Sequence, residues 1–308
     1  MISIFESFCS SVQPETVNCR NYSPNAPPQS TAVTRHPGLR VYRPHVDNEP
    51  VPLSPWELRI ERASTLSQKH SFAAEILSFY RQIAGFQHDL YLGWEKSSLA
   101  HPADLPPGAA IQFAGFLAAL EKHAPPALAE KSQQLRRLDL ASLSTRLDNS
   151  WLRGERSPSQ PEEFLARAFL QPRAVLVRMR SGAQWNGYAH SVCPFCGRKP
   201  GPGILRPRGD GGQRSLLCSF CLAEWEFRRI VCAGCGEESE RKLPVYTAQD
   251  FDYIRVECCD TCKQYLKTID LTRNGLADPV VDEIASAPLD LWAHQQGYTK
   301  IEPNLLGM

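Results

Sequence analysis

Two stretches, CPFCGRKPGPGILRPRGDGGQRSLLCSFC (193–221) and CAGCGEESERKLPVYTAQDFDYIRVECCDTC (232–262), each begin and end with a C-x-x-C pair. The pairs are Cys193/Cys196, Cys218/Cys221, Cys232/Cys235 and Cys259/Cys262, and they use eight of the eleven cysteines in the chain. Four thiolates in tetrahedral array satisfy Zn²⁺ or Fe, and a C-x-x-C turn presents two of them from one tight loop. Four such turns therefore predict two Cys₄ sites. Twenty-one residues separate Cys196 from Cys218 and twenty-three separate Cys235 from Cys259, whereas only ten separate Cys221 from Cys232. This near-equal spacing reads as a duplicated unit of knuckle, hairpin and knuckle. It favours sequential pairing, the first two turns on one metal and the last two on another, over an interleaved cross-brace. Gly197 and Gly236 follow the second cysteine of the opening knuckles, where a positive φ turns backbone N–H groups toward sulfur.

Working outward, the 308-residue chain has room for more than one domain. A net charge of +1 gives no global field favouring nucleic acid or an anionic membrane. No apolar run reaches the roughly 18–20 residues that span a bilayer, so no membrane insertion is expected. The opening MISIFESFCSS lacks the basic and apolar regions of a secretory signal. Cysteines at metal-ligand spacing without an export signal point to the reducing cytoplasm.

Residues 1–50 are rich in Pro, Ser and Asn and read as a disordered or loosely attached arm. Cys9 and Cys19 lie there with no ligand-spaced partner and read as incidental thiols. Residues 51–183 read as an all-α domain of five or six helices. Ser54-Pro55-Trp56-Glu57 supplies an N-cap, a proline at the first helical position and a capping-box glutamate for a helix to about His70. Phe72, Ile76, Phe79, Ile83, Phe86 and Leu90 form one stripe at steps of four and three. Ser159-Gln160-Pro161-Glu162 opens a last helix to about Arg180. Aromatic residues at helical spacing are assigned to core packing. His70, His88, His101 and His123 fit no ligand pattern and read as surface or capping residues.

The remainder divides into metal units at 184–228 and 229–274 and a helical tail at 275–308. The chain after Gly187 is β-rich: Leu216-Leu217 precede the second knuckle, a strand is expected from Trp225 through Val231, paired strands at Val245–Thr247 and Tyr253–Val256, and Tyr265 to Leu271 follows the last knuckle. In the tail, Val280, Val281, Ile284, Leu289 and Trp292 share a helical face that Pro288 interrupts. The fold class is α+β multidomain: an N-terminal all-α domain, two tandem rubredoxin-like or zinc-ribbon β units, and a C-terminal helical segment.

Three kinds of chemistry suit such sites: a structural platform for binding another protein, one-electron transfer by Fe(Cys)₄, and nucleic-acid binding by a double zinc ribbon. Arg178, Arg180, Arg198, Lys199, Arg206, Arg208 and Arg214 around the first unit speak for the last. Aromatic residues interleaved with basic ones, as stacking on single strands requires, are missing there. Hydrolytic or transfer catalysis has little support, because a catalytic zinc keeps an open position and every ligand slot here is cysteine. No catalytic or organic-cofactor-binding residue is assigned. Cys258 beside Cys259 reads as a bystander, since the C-x-x-C spacing to Cys262 selects Cys259.

Cys193-Pro194-Phe195-Cys196-Gly197, LLCSFCLAEWEFRRIVCAGCG (216–236), ECCDTCKQYLK (257–267), LADPVVDEIASAPLDLWAHQQGY (276–298) and the PNLLG near the C-terminus closely resemble FdhE-type formate dehydrogenase accessory proteins. The resemblance is specific over about 190–307, compatible over 55–180 and lost over 1–50. It implies a cytoplasmic accessory factor for respiratory formate dehydrogenase, not the dehydrogenase itself. Such a factor would be a dedicated chaperone engaging the catalytic subunit before twin-arginine export, with rubredoxin-like centres in which iron is favoured over zinc. The eight C-x-x-C cysteines carry over as ligands, and Phe195, Trp225, Arg229 and Tyr265-Leu266-Lys267 as motif positions without assigned roles. Glu226 stands where the family typically has His.

Overall fold

The structure, a computed structural model, describes residues 12–14, 54–97, 104–152, 157–209 and 211–307. The arm expected at 1–50 otherwise lies outside the described residues, as do Cys9, Cys19 and His101.

Among the described residues, six helices form the N-terminal layer: α1 (Pro55–Lys69), α2 (Ala74–Glu95), α3 (Ala109–Leu120), α4 (Pro126–Arg136), α5 (Leu140–Leu152) and α6 (Gln160–Ser181). The start of α1 is the capping box its sequence encodes. Ser54 Oγ accepts from Glu57 N at 3.2 Å, and Ser54 N donates to Glu57 Oε2 at 2.7 Å. The start of α6 differs: Ser159 is the N-cap but its side chain makes no capping bond, and the helix ends on Gly182 at φ 59°. Phe79 and Ile83 are buried, with Ile76, Phe86 and Leu90 packed against the same core, while Phe72 falls in a separate 3₁₀ turn and is 39% exposed. Phe113, Phe116 and Phe169 meet at centroid separations of 5.0–6.3 Å, so these aromatics are core. His70 is the C-cap of α1, one of the two readings expected for it, and it is not a surface residue: its ring is buried and stacks on Phe251 at 4.9 Å.

The cysteine-rich region builds one sheet. Strands β2 (Pro200–Arg208), β3 (Gly211–Cys218) and β4 (Glu224–Glu226) form an antiparallel meander, as do β5 (Val245–Ala248), β6 (Ile254–Cys258) and β7 (Gln264–Asp270). The first strand of one meander pairs in parallel with the last strand of the other, Gly203–Leu205 opposite Thr268–Asp270, giving the order β5-β6-β7-β2-β3-β4. A Cβ on Gly203 would lie 2.3 Å from Thr268 Oγ1, so glycine is what lets the strands meet at this seam. A short β1 (Val12–Pro14) pairs with the free edge of β5.

The strand expected from Trp225 through Val231 stops at Glu226. Phe227 N still donates to Arg214 O at 3.0 Å. Beyond it the Arg214 guanidinium takes the carbonyls of Arg228 (2.8 Å) and Val231 (3.3 Å), bending the chain toward the third knuckle.

The tail forms α7 (Pro279–Ala285) and α8 (Ala287–Gln295), broken at Ser286, with Pro288 in the first turn of α8, where its missing N–H costs nothing. Strand β8 (Thr299–Lys300) then adds in parallel to β7. Helix α7 wedges between α1 and α2 on one side and β2 and β7 on the other. Asp282 ties these layers. It takes a two-pronged Arg62 contact at 2.9 and 2.6 Å and the Tyr253 hydroxyl at 2.7 Å. One core joins the helical layer, the first metal unit and α7, and a second lies under the second metal unit and α8.

Candidate metal centres

All four knuckles repeat one backbone geometry. The first cysteine's N–H donates five residues on: Cys193 to Arg198 O (2.7 Å), Cys218 to Ala223 O (2.8 Å), Cys232 to Glu237 O (2.9 Å) and Cys259 to Gln264 O (2.9 Å). N–H groups also point at sulfur, from Phe195, Phe220 and Gly234 to Cys193, Cys218 and Cys232 at 3.3–3.4 Å. The residue after each second cysteine has positive φ: Gly197, Leu222, Gly236 and Lys263. Leu222 and Lys263 occupy this left-handed region at φ 54° despite their side chains. Sequence reading missed these two, because only glycine advertises the conformation.

The sulfurs gather sequentially. Cys193, Cys196, Cys218 and Cys221 form one set, and Cys232, Cys235, Cys259 and Cys262 the other, each with all four sulfurs within 4.8 Å of one another. The near contacts are 3.5 Å for Cys193···Cys221, 3.4 Å for Cys196···Cys218, and 3.7 Å for both Cys232···Cys262 and Cys235···Cys259. Sulfurs about 2.3 Å from a tetrahedral ion lie about 3.8 Å apart, so each set could hold one metal ion. In the first set, hydrogen bonds from Cys193, Cys218 and Cys221 draw the Cys196 thiol far down, while the same sharing pushes Cys221 up. Four thiols this close cannot keep ordinary acidities, and a cation displacing their protons relieves the crowding.

The two sets sit in different surroundings. In the first, Cys193, Cys218 and Cys221 are buried and Cys196 is half-buried. Phe220 packs against Trp151 of the helical layer at 6.3 Å, and the Arg198 guanidinium lies 4.4 Å over its ring. In the second, Cys235 is exposed and Cys262 half-buried. Glu237 braces its two knuckles, accepting from Thr261 Oγ1 at 2.6 Å and Ser239 N at 2.9 Å, and the Thr261 bond leads in lowering its carboxyl to about 2. Cys258 belongs to neither set; it packs in the second core, and burial raises its thiol.

Among the other motif positions, Trp225 Nε1 donates to His190 O at 3.0 Å, which anchors the approach to the first knuckle. Glu226 is exposed on the edge strand β4 and pairs with Arg208 at 3.3 Å. Tyr265 and Lys267 enter a buried cluster that sequence gave no means of assembling. Lys267 Nζ reaches Asp290 Oδ2 at 2.6 Å and Glu283 Oε1 at 3.1 Å, Lys300 Nζ contacts both Glu283 and Asp290, and the Tyr265 hydroxyl donates to Asp290 at 2.8 Å. Burial opposes the Asp290 charge, but Lys267 and Lys300 outweigh it and hold the carboxyl below its ordinary range.

Most of the basic residues around the first unit have partners inside the chain. Arg206 grips Glu224 at 2.9 and 2.8 Å, Arg214 meets Glu257 at 2.5 Å, Arg178 donates to Cys221 O at 3.1 Å, and Arg180 donates to Glu95 O. No helix among the described residues is long and apolar enough to cross a membrane.

Helices followed by a fused pair of β units, each with one four-cysteine set, and closed by a helical tail define the class as two-site cysteine proteins. Within that class, models of the FdhE central domain and the FdhE C-terminal domain match residues 192–229 and 230–306. A curated Aquifex aeolicus protein named Protein FdhE homolog is 33% identical over 196 residues, covering 63% of this chain and 69% of that protein. A Pseudomonas aeruginosa homologue is 34% identical over 139 residues, 42% of this chain and 44% of its own length. Protein FdhE of Escherichia coli K12 is 27% identical over 213 residues, 68% of this chain and 64% of that protein. The crystal structure of the FdhE protein from Pseudomonas aeruginosa shares the fold, with TM-score 0.61 and 24% identity over 82% of this chain and 95% of that one. The chain belongs to the FdhE family.

Proposed function

We propose that this chain is a cytoplasmic maturation factor for a respiratory formate dehydrogenase, engaging the catalytic subunit before export and carrying no catalytic site of its own. The observation that carries this reading is the pair of closed all-cysteine sets, within a chain of the FdhE family. With four protein sulfurs in each set, no coordination position is left for a substrate, which suits a platform and not a hydrolytic centre. The eight cysteines are assigned as ligands for two metal ions, with iron favoured over zinc by the family resemblance. Iron in such a site supplies one-electron chemistry, and zinc supplies only rigidity. In either case the chain's own part is to hold the sulfurs, point N–H groups at them and present the surrounding surface.

A protein client is favoured over nucleic acid because Arg206, Arg208, Arg214 and Arg178 are committed to intramolecular partners. Cations free to replace the counterions of a nucleic acid backbone are what such binding needs. The test is a strain lacking this chain. Formate dehydrogenase activity is expected to fall, to return with the intact chain, and to stay low with Cys193→Ser plus Cys196→Ser. The purified protein is expected to retain the catalytic subunit at salt concentrations that strip nucleic acid. Full enzyme activity in the deletion strain contradicts the reading.

A further inference from the structure

A cavity of about 370 Å³ opens at the seam where the two metal units meet. Its walls are apolar and come from both units: Leu205 of β2, Leu266 of β7, Val231 ahead of the third knuckle, Val245 of β5, and Ile301 from the tail. Cys232 of the second sulfur set also lines it. The charged groups inside are matched within the chain. Arg214 is held by Glu257 at 2.5 Å and by two backbone carbonyls, and Arg255 by Asp270 at 3.1 Å. Glu240, also on the lining, has a partner of its own.

The mouth is different. Arg229 is exposed there and makes no hydrogen bond or ion pair with any described residue, and Ile230 beside it is 49% exposed. Exposed apolar surface running into a concave apolar site marks a place where a partner docks. The unmatched guanidinium fixes the sign of the charge that partner brings. Ile230 carries the apolar wall out to the solvent-exposed rim beside Arg229, so an occupant that meets both the wall and the rim reaches beyond the cavity, as a chain segment does and an enclosed small molecule does not.

We infer that this seam is the docking site for an extended apolar segment of the protein client, with an Asp or Glu beside its apolar residues paired to Arg229. The inference rests on the client reading above. It also gives a role to Arg229, a motif position that makes no hydrogen bond or ion pair with any described residue. The third knuckle lines the wall, so the second metal site would order the surface that the segment meets.

The experiment uses full-length, metal-loaded protein, the intact formate dehydrogenase catalytic subunit, and an array of overlapping peptides covering that subunit. Arg229→Glu, Arg229→Lys and the cavity-filling Val245→Trp are compared with the unaltered chain, with metal content and melting temperature measured on each. Captured peptides are expected to combine clustered large apolar residues with Asp or Glu. Arg229→Glu should weaken their capture about tenfold and shift preference toward peptides bearing Lys or Arg, while Arg229→Lys keeps most of it. Val245→Trp should weaken all captured peptides alike. Binding of the intact subunit that none of the three variants changes would overturn the seam as the docking site and leave the client reading standing. A subunit that binds when no peptide is captured would overturn the extended-segment assignment. No binding of the subunit by the unaltered chain would overturn both.

Discussion

The two metal units share one backbone design but have opposite environments. The first carries Phe195 and Phe220 just before its second cysteines, and Phe220 reaches into the helical layer. The second carries Gly234 and Thr261 at the same positions, and Cys235 faces solvent. In the first set the residue before the second cysteine of each turn packs into the shared core, whereas in the second set that position carries no large apolar side chain. The first set is sealed against the helical layer; the second stands beside the seam cavity, with Cys232 on its lining and Cys235 open to solvent.

Removing ligands should separate these roles most sharply. Cys193→Ser plus Cys196→Ser is expected to lose one metal equivalent and the cooperative melting of the helical layer with it. A structural Cys₄ zinc contributes about 10–16 kcal/mol of binding free energy, comparable to the whole stability of a domain. Cys235→Ser plus Cys262→Ser should also lose one equivalent yet keep a helical melting transition in circular dichroism. Equal loss of helical structure in both double variants would mean that the helical layer does not depend on the first site more than on the second.

The buried lysine–carboxylate cluster fastens the second unit to α8, so Asp290→Ala should act there. Breaking a buried pair and leaving Lys267 and Lys300 underneutralised is expected to cost about 3–5 kcal/mol in denaturant melts. The folded-state pKa of Asp290 lies below its unfolded value. Its stabilisation is therefore complete above the ordinary carboxylate range and fades as pH falls through and below it. The variant should accordingly lose less stability between pH 6 and pH 3 than the unaltered protein does.

Gly203→Ala tests the seam. Its Cβ would meet Thr268 Oγ1 at 2.3 Å between two paired backbones, and overpacking of this kind costs about 1–3 kcal/mol. The same change should uncouple the melting of the two units in calorimetry. Smallest is Gly197→Ala, where nothing lies within 4 Å and only the φ of 71° resists a side chain. About 1–2 kcal/mol is expected there, with a matching loss for Gly236→Ala at φ 80°. A larger gap between these two variants would mean that the knuckles are not equivalent.

The sulfur sets were legible because C-x-x-C turns are local and their spacing repeats. The helices were legible for a similar reason, since Ser54 and Glu57 state where α1 begins and the stripe from Ile76 to Leu90 states which face of α2 is inward. Strand β2 was not legible. Pro200, Pro202 and Pro207 argue against a strand flanked on both sides, yet the parallel pairing uses only Gly203–Leu205, and a register shift absorbs the prolines before it. The fusion of the two units, the cluster around Lys267 and the seam cavity depend on residues far apart in sequence. No periodicity brings Arg229, Leu266 and Ile301 to one place. Leu222 and Lys263 were hidden because their positive φ is imposed by knuckle geometry and not by residue type.

If the two cysteine sets hold two metal ions in unequal settings, native mass spectrometry during a chelator challenge will separate them. Two metal ions per chain are expected at the start, with rapid loss of one to a folded one-metal species and retention of the other until the helical layer unfolds. Cys235→Ser should start with the second site weakened and the slow metal unchanged. A chain that binds no metal, or that loses both ions together at one rate while still folded, would contradict two unequal metal sites.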